Sequence, residues 1–168
     1  FCCLPHTTSQ EIIAQIIDSK VNPDLKIIDL SADFRLDDVE NYQKWYNNEH
    51  KAKNIQPSAV YGLSEINKRK IKDSSLVACP GCYPTSALLP LLPLLETKLI
   101  KPENIIIDSK SGVSGAGRAA KVANLFAEVN ESCKAYGIGT HRHIGEIEQE
   151  LSKVNSGDVQ IDFTPHLI

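Results

Sequence analysis

This sequence is poor in methionine and aromatic residues, and it lacks the features that direct a protein to membranes or to secretion. It has no methionine and one tryptophan among 168 residues, and aromatic residues make up only 6%. No apolar run reaches the roughly 18 residues that a membrane helix needs, and no basic segment precedes an apolar one at the start. We therefore expect no membrane span, no secretory signal and a cytoplasmic location. Because the chain starts at Phe1 and stops at FTPHLI (163–168), where a strand pattern is running out, we also expect a piece of a longer protein.

Charge of one sign is not in excess either. The 18 basic and 21 acidic residues give a net charge of -3. Nucleic acids and anionic lipids are bound by strongly basic faces, so neither is an expected partner. Hydrophobic residues make up 42% of the chain, which is enough for a buried core.

Cysteine is neither abundant nor regularly spaced. An odd number of cysteines at irregular intervals does not indicate a disulfide framework, so we expect free thiols in a reducing compartment. The five are Cys2, Cys3, Cys79, Cys82 and Cys133.

Short apolar runs alternate with helical patterns over residues 1–79. Thr8, with Glu11 three residues later, is the predicted N-cap of a helix whose isoleucines share one face. A surface helix is predicted over 38–48, and the runs LKIIDL (25–30), SAVYG (58–62) and SLVAC (75–79) predict buried strands. Alternating strands and helices are typical of a parallel α/β sheet.

A second region opens at Pro80. An apolar helix is predicted from about Thr85, with Pro90 and Pro93 expected to kink or end it. After it we expect a strand over 103–110, a glycine-rich turn over 111–117, a helix over 118–132, a helix over 144–154 and a strand over 159–163.

Cys82 lies at a predicted helix start. In GCYPTS (81–86), Pro84 suits the first helical turn, and Thr85 and Ser86 offer capping oxygens. Unpaired backbone N–H groups there stabilise a thiolate and can hold an oxyanion, which would make Cys82 a nucleophile. The alternative is a buried, unreactive cysteine.

Cys79 and Cys82 also form a C-x-x-C pair, a spacing found in thiol–disulfide enzymes and in half of many zinc sites. Cys79 ends an apolar run, so we interpret it as part of the core. A Cys₂His₂ zinc module that adds His141 and His143 is a rival, although two histidines two apart depart from the common spacing. A dithiol redox protein is another.

A polar cluster follows in GTHRHIGEIEQE (139–150). Either histidine could exchange protons at neutral pH, and Arg142 could bind a carboxylate or phosphate in bidentate fashion. Solvated charges at a helix start are the alternative. The turn KSGVSGAGR (110–118) follows a strand and precedes a predicted helix, where backbone amides can bind an anion, but its glycines do not form the Rossmann fingerprint.

Together these segments resemble the N-acetyl-γ-glutamyl-phosphate reductases of arginine biosynthesis over nearly the whole chain. The words that carry the resemblance are DLSADFRL (29–36), VYGLSE (60–65), CPGCYPT (79–85), KSGVSGAGR (110–118), GTHRHIGEIEQ (139–149) and FTPHL (163–167). The resemblance implies the end of a Rossmann-like NADP-binding domain over 1–79 and part of an α+β catalytic and dimerisation domain over 80–168. It also implies a homo-oligomer, either a dimer or a tetramer.

The resemblance also implies roles for individual residues. Cys82 would attack the acyl phosphate and form a thioester, which NADPH reduces to N-acetyl-glutamate 5-semialdehyde. His143, with His141 second, would move the proton, and no metal is implied. Arg142, Glu146 and Arg35 would bind the substrate, and Ser114, Gly115 and Gly117 would lie beside the cofactor.

The sequence lacks one motif of this family, and one rival family shares its chemistry. The glycine loop with which the family binds the dinucleotide pyrophosphate is absent from this sequence, so we expect the chain alone to bind NADPH poorly. Aspartate-semialdehyde dehydrogenase, which shares the thioester chemistry, is the nearest rival within the same class.

Overall fold

The apolar runs of the first part become parallel strands in the computed structural model, which describes residues 1–168. The strands are β1 (Ile27–Asp29), β2 (Ala59–Tyr61) and β3 (Leu76–Ala78), in the order β1-β3-β2. Leu76 lies opposite both Ile27 and Ala59. This sheet belongs to the first of two units, residues 1–89, and the second unit comprises residues 90–168. The predicted α/β class with a parallel sheet is confirmed.

Three helices connect or flank these strands, and α1 contributes Ile13 to the core of the first unit. They are α1 (Thr8–Ser19), α2 (Val39–Tyr46) and α3 (Ser64–Asp73). Asp38 caps α2 by accepting the N–H of Glu40 at 3.0 Å, so the predicted surface helix is confirmed. The buried apolar cluster consists of Ile13, Ile27, Phe34, Ala52, Ile55, Leu76 and Ala78.

The start of α1 differs from the prediction. Thr8 is the first helical residue and not the cap, and the preceding Thr7 makes no side-chain cap bond. The carboxylate of Asp33 instead accepts the N–H groups of Thr7 at 2.8 Å and Gln10 at 3.0 Å. A carboxylate distant in sequence therefore caps the helix, because it brings a full negative charge to the helix N-terminus.

Helix α4 runs without a break over Cys82–Glu96 and includes both Pro90 and Pro93. The prolines therefore do not end the helix, and the kink that was the alternative expectation stays a prediction. The division between the two units falls within this helix, between Leu89 and Pro90. Neither α4 nor any other helix is long and apolar enough to cross a bilayer.

The second unit has its own sheet, in the order β4-β6-β5. Strands β4 (Ile105–Ser111) and β6 (Ile161–Leu167) are parallel, and the short β5 (Lys134–Ala135) is antiparallel to β6. Helix α6 (His143–Asn155) buries Ile144, Ile147 and Leu151 in this unit. Side chains alternate along β4, because a strand directs successive residues to opposite faces.

The predicted helix over 118–132 does not form. The segment contains only a 3-10 turn over 122–124 and one helical turn, α5 (Phe126–Val129). Helices in proteins gain most of their stability by burying an apolar stripe. Here Val122 is 73% exposed and Phe126 is 78% exposed, so the stripe that suggested a helix has nothing to pack against.

Candidate active site

Cys82 is exposed and is the first residue of α4. The carbonyl oxygen of Gly81 accepts the N–H of Thr85 at 3.0 Å and the hydroxyl of Thr85 at 2.9 Å. The Ser86 hydroxyl donates to the carbonyl of Tyr83 at 2.9 Å. These two hydroxyls therefore donate to carbonyls and do not cap N–H groups as expected. The position of Cys82 at the positive end of the helix dipole agrees with the sequence pattern.

Cys79 lies in a different environment three residues earlier. It is half-buried, its N–H donates to the carbonyl of Asp29 at 2.8 Å, and its carbonyl accepts Nε of Arg35 at 2.6 Å. Burial raises the pKa of the Cys79 thiol above its ordinary value. The two cysteines of the C-x-x-C pair therefore differ in exposure, since Cys82 reaches solvent and Cys79 extends the sheet.

Arg35 is only 7% exposed and connects two loops at the carboxyl end of the sheet. Besides its bond to Cys79, it donates from a terminal nitrogen to the carbonyl of Leu30 at 3.0 Å. A guanidinium bonded to two carbonyls fixes the chain that follows β1 against the chain that leads to α4. Arg35 thus contacts Cys79, three residues before the candidate nucleophile, and its predicted contact with substrate remains a prediction.

A buried network around Asp33 was not assigned a role from the sequence. Asp33 is 0% exposed, and in addition to capping α1 it accepts the hydroxyl of Tyr42 at 2.7 Å. Burial, followed by this bond to Asp33, raises the pKa of Tyr42. Nε2 of His50 donates to the carbonyl of Asp33 at 2.8 Å, and Nδ1 accepts the N–H of Ala52 at 3.2 Å. The motif DLSADFRL contains Asp33, but its partners lie too far along the chain for spacing to predict them.

His141 and His143 lie together at the start of α6 in the second unit. Their ring centroids are 4.7 Å apart at an interplanar angle of 68°. Tyr136 and Phe163 also contact the His141 ring edge-on, at 5.7 and 5.5 Å. Nδ1 of His141 accepts the backbone N–H of His143 at 3.2 Å. The structure thus brings the two predicted histidines into direct contact, in an aromatic environment.

Two further predicted residues belong to the same helix start. Arg142 is exposed and occupies the N-cap position of α6, whereas Glu146 is 1% exposed in the first turn. Burial, and then the positive charge of Arg142, lower the pKa of His141 below its ordinary value. The neutral imidazole is therefore the favoured form of His141.

The glycine-rich turn borders a cavity of about 560 Å³ in the second unit. Ser114 and Gly117 line it, together with residues 119–122. Gly117 has φ +80°, and a Cβ there would meet no atom within 4 Å, so its backbone faces open space. A Cβ on Gly115 would lie 2.3 Å from Oγ of Ser111, so the Ser111 hydroxyl would have to move before this position could hold a side chain. The helix expected after the turn is missing, so the turn does not form the helix-start anion site that its sequence context suggested.

Comparison with known protein families identifies two domains in the chain. Residues 82–168 match the semialdehyde dehydrogenase dimerisation domain, and residues 1–74 match the semialdehyde dehydrogenase NAD-binding domain. The chain belongs to the semialdehyde dehydrogenase family. A nicotinamide dinucleotide is thus the cofactor class of its first domain, and the second matched domain begins at Cys82 itself.

Relatives within the semialdehyde dehydrogenase family carry one activity in their names. A protein of Oryza sativa subsp. japonica named probable N-acetyl-gamma-glutamyl-phosphate reductase, chloroplastic, is 57% identical over 100% of this chain and 39% of its own length. Its namesake in Arabidopsis thaliana is 56% identical over 100% of this chain and 41% of its own length. The N-acetyl-gamma-glutamyl-phosphate reductase of Afipia carboxidovorans is 53% identical over 99% and 47%.

The resemblance inferred from the motifs is therefore confirmed. The chain spans between about two fifths and one half of the length of these relatives, from 39% to 47%. Their names favour this branch of the semialdehyde dehydrogenase family over aspartate-semialdehyde dehydrogenase. Within neither unit are three or more histidine, cysteine or acidic side chains grouped as metal ligands.

Proposed function

We propose that the protein catalyses the NADPH-dependent reductive dephosphorylation of N-acetyl-γ-glutamyl phosphate to N-acetyl-glutamate 5-semialdehyde, within arginine biosynthesis. The observation that carries this proposal is the exposed thiol of Cys82 at the first residue of α4, within the word CPGCYPT. The names of relatives that match the whole chain support it.

The first step of the proposed reaction uses Cys82 as nucleophile. Its sulfur attacks the acyl carbon, the S–C bond forms, the C–O bond to the phosphoryl group breaks, and inorganic phosphate leaves. Backbone N–H groups in the first turn of α4 stabilise negative charge on the sulfur and on the acyl oxygen. The product is a neutral thioester, which accepts hydride far more readily than a carboxylate does, so one hard step becomes two easier ones.

The second step needs a proton acceptor, and we assign it to His143. Hydride adds to the thioester carbon, and the His143 imidazolium, which holds the proton taken from the Cys82 thiol, gives that proton to the oxyanion, so that a tetrahedral thiohemiacetal forms on Cys82. An imidazole accepts the hydroxyl proton as the C–S bond breaks, which releases the aldehyde and restores the thiolate. His143 is supported by its position at the start of α6, beside His141.

The glycine-rich turn suits part of a nicotinamide dinucleotide. A cavity of about 560 Å³ is within the range of small-molecule sites, and the open backbone at Gly117 allows a flat group to approach closely. Ser114, Gly115 and Gly117 are the residues that we assign to this contact. NADPH bound there would supply the hydride for the thioester.

Substrate contacts are assigned to Arg142, Glu146 and Arg35. The exposed guanidinium of Arg142 suits a phosphate or carboxylate of the substrate. The buried carboxylate of Glu146 suits an N–H donor such as the acetamido group. Arg35 lies close to the chain that leads to Cys82, where its positive charge would face the leaving phosphate.

Each domain has a proposed task as well. Residues 1–79 form the remainder of a dinucleotide-binding domain. Residues 80–168 form part of a catalytic domain that assembles into a homo-oligomer. The match of residues 82–168 to a dimerisation domain supports assembly, as does the exposure of Ile106, 75% of which is accessible.

The decisive experiment is mass spectrometry of the full-length protein after exposure to the acyl phosphate without NADPH. An acetyl-glutamyl adduct on residue 82 is expected in the unchanged protein and in Cys79→Ser, and none in Cys82→Ser. An adduct on Cys79, or loss of the adduct in both variants, would contradict the assignment and favour a dithiol.

A further inference from the structure

The hydrogen bond between His141 and the start of α6 distinguishes two histidines that the sequence leaves equivalent. Nδ1 of His141 accepts the backbone N–H of His143, and a ring nitrogen that accepts must hold a lone pair. The neutral His141 ring therefore carries its proton on Nε2. An imidazolium would direct a second N–H at the same amide and break this bond, so His141 is poorly suited to gain and lose a proton in each turnover.

The same bond supplies a helix cap that the chain otherwise lacks at this position. The first N–H groups of a helix have no partner within it. Arg142, at the N-cap position of α6, makes no side-chain cap bond. The ring of His141 accepts the N–H of His143, and the carbonyl of His141 accepts the N–H of Ile144 at 3.0 Å. His141 thus holds the first two residues of α6 by two separate acceptors.

The surroundings of His141 hold its ring in place for this purpose. Tyr136 and Phe163 contact it edge-on at 5.7 and 5.5 Å. Gly137 lies beside the ring, since a Cβ there would be in van der Waals contact with Cδ2 of His141 at 3.5 Å. The backbone N–H of His141 donates to the carbonyl of Gly137 at 2.9 Å. A ring fixed on several sides, with its pKa lowered by burial, behaves as a neutral acceptor.

We infer that His141 is a positioning residue: its neutral ring accepts the backbone N–H of His143 and thereby holds the His143 imidazole in one orientation, without exchanging a proton itself. The inference rests on the proposed function, since it concerns the proton transfer assigned to His143. It can nevertheless be tested separately, because a ring tautomer and a helix cap are measurable without turnover.

The structural test uses protein labelled with ¹⁵N-histidine. Long-range ¹H–¹⁵N correlation near pH 7 should show Nδ1 of His141 unprotonated and Nε2 protonated. Amide hydrogen exchange at His143 should stay slow in His141→Asn, whose side-chain oxygen can accept the N–H. It should be about 5- to 10-fold faster in His141→Phe, which keeps a ring without an acceptor. A protonated Nδ1, or unchanged exchange in His141→Phe, would overturn the inference.

The kinetic test uses the same variants in the full-length protein. A positioning role predicts a kcat within about threefold of the unchanged protein for His141→Asn, and a loss of about 10- to 100-fold for His141→Phe with little change in KM. A wild-type kcat in His141→Phe, or a loss in His141→Asn as large as that in His143→Asn, would contradict it.

The two tests separate the inference from the proposed function. If the unchanged protein does not reduce the acyl phosphate, the proposed function is wrong, whereas the tautomer and exchange results still decide the role of His141. If His141→Phe fails to fold, the tautomer of the unchanged protein and the kcat of His141→Asn decide it instead.

Discussion

The two units of the chain hold their candidate catalytic groups in place by different contacts. In the first, Asp33 is 0% exposed, Arg35 is 7% exposed, and both are bonded to backbone groups of other segments. The second unit leaves apolar side chains such as Ile106 and Phe126 mostly exposed, and a ring nitrogen of His141 caps its main helix. Thus the candidate nucleophile is carried by backbone that buried polar groups lock, whereas the candidate acid–base group depends on side-chain packing.

The largest expected effect is the loss of kcat when the candidate catalytic residue of each unit is replaced. Cys82→Ser in the full-length protein should lower kcat by about 10⁴-fold or more, because no other group can form the thioester. His143→Asn should cost about 10²- to 10⁴-fold, since water can replace a general acid–base group in part. Steady-state kinetics with the acyl phosphate measure both, and Cys79→Ser is the matched control that keeps most activity. Equal losses from Cys79→Ser and Cys82→Ser would break the comparison.

The next effect concerns the buried polar network of the first unit. Asp33→Ala removes the acceptor for three donors, those of Thr7, Gln10 and Tyr42. An unsatisfied buried donor costs about 1 to 3 kcal/mol, so the free energy of unfolding should fall by about 3 to 5 kcal/mol. Urea unfolding, followed by the fluorescence of Trp45, the single tryptophan, reports on this unit.

The exposed Asp24 provides the matched control for that experiment. Asp24→Ala should change the free energy of unfolding by no more than about 0.5 kcal/mol, as is usual for a surface site. If Asp33→Ala were as mild as Asp24→Ala, the first unit would not be held by its polar network, and the contrast with the second unit would disappear.

The sequence predicted the parts of the fold that depend on local patterns. Short apolar runs predicted β1, β2 and β3, and the word CPGCYPT predicted a helix start next to Cys82, whose role as nucleophile stays a prediction. Prediction failed where a distant group decides the outcome. Asp33 caps α1 in place of Thr8, because its carboxylate and the backbone N–H groups of Thr7 and Gln10, 26 and 23 residues away, come together only in the folded chain.

The helix predicted over 118–132 failed for a different reason. Its apolar residues have helical spacing, but their side chains stay exposed in this unit. A row of apolar side chains that stays in contact with water does not stabilise a helix. The distinction between His141 and His143 was likewise out of reach, since it depends on which ring nitrogen meets a backbone N–H.

A smaller effect should distinguish the two cysteines of the C-x-x-C pair. Cys79 is half-buried with a raised thiol pKa, whereas Cys82 is exposed. Iodoacetamide reacts with the thiolate, so at pH 7.5 Cys82 should be alkylated about 10-fold faster or more. Because the pKa of Cys79 is raised, its alkylation should become fast only at a higher pH than an ordinary thiol requires. Peptide mass spectrometry over time measures both rates, and comparable rates near neutrality would contradict the contrast in environment.

The smallest effect compares the units through one buried histidine in each. Burial lowers the pKa of His50 in the first unit and, together with Arg142, that of His141 in the second. Below about pH 6.5 the unfolded chain takes up protons that these folded rings resist, so the stability that is present above this pH is lost as the pH falls.

Hydrogen exchange in β1 and β3 reports on the first unit, and exchange in β4 and β6 on the second. His50→Gln should reduce the acid sensitivity of the first pair alone, and His141→Asn that of the second pair alone, because each ring titrates within its own unit. A change in both pairs from either substitution would show that the two units do not unfold independently, and the comparison between them would then have to be abandoned.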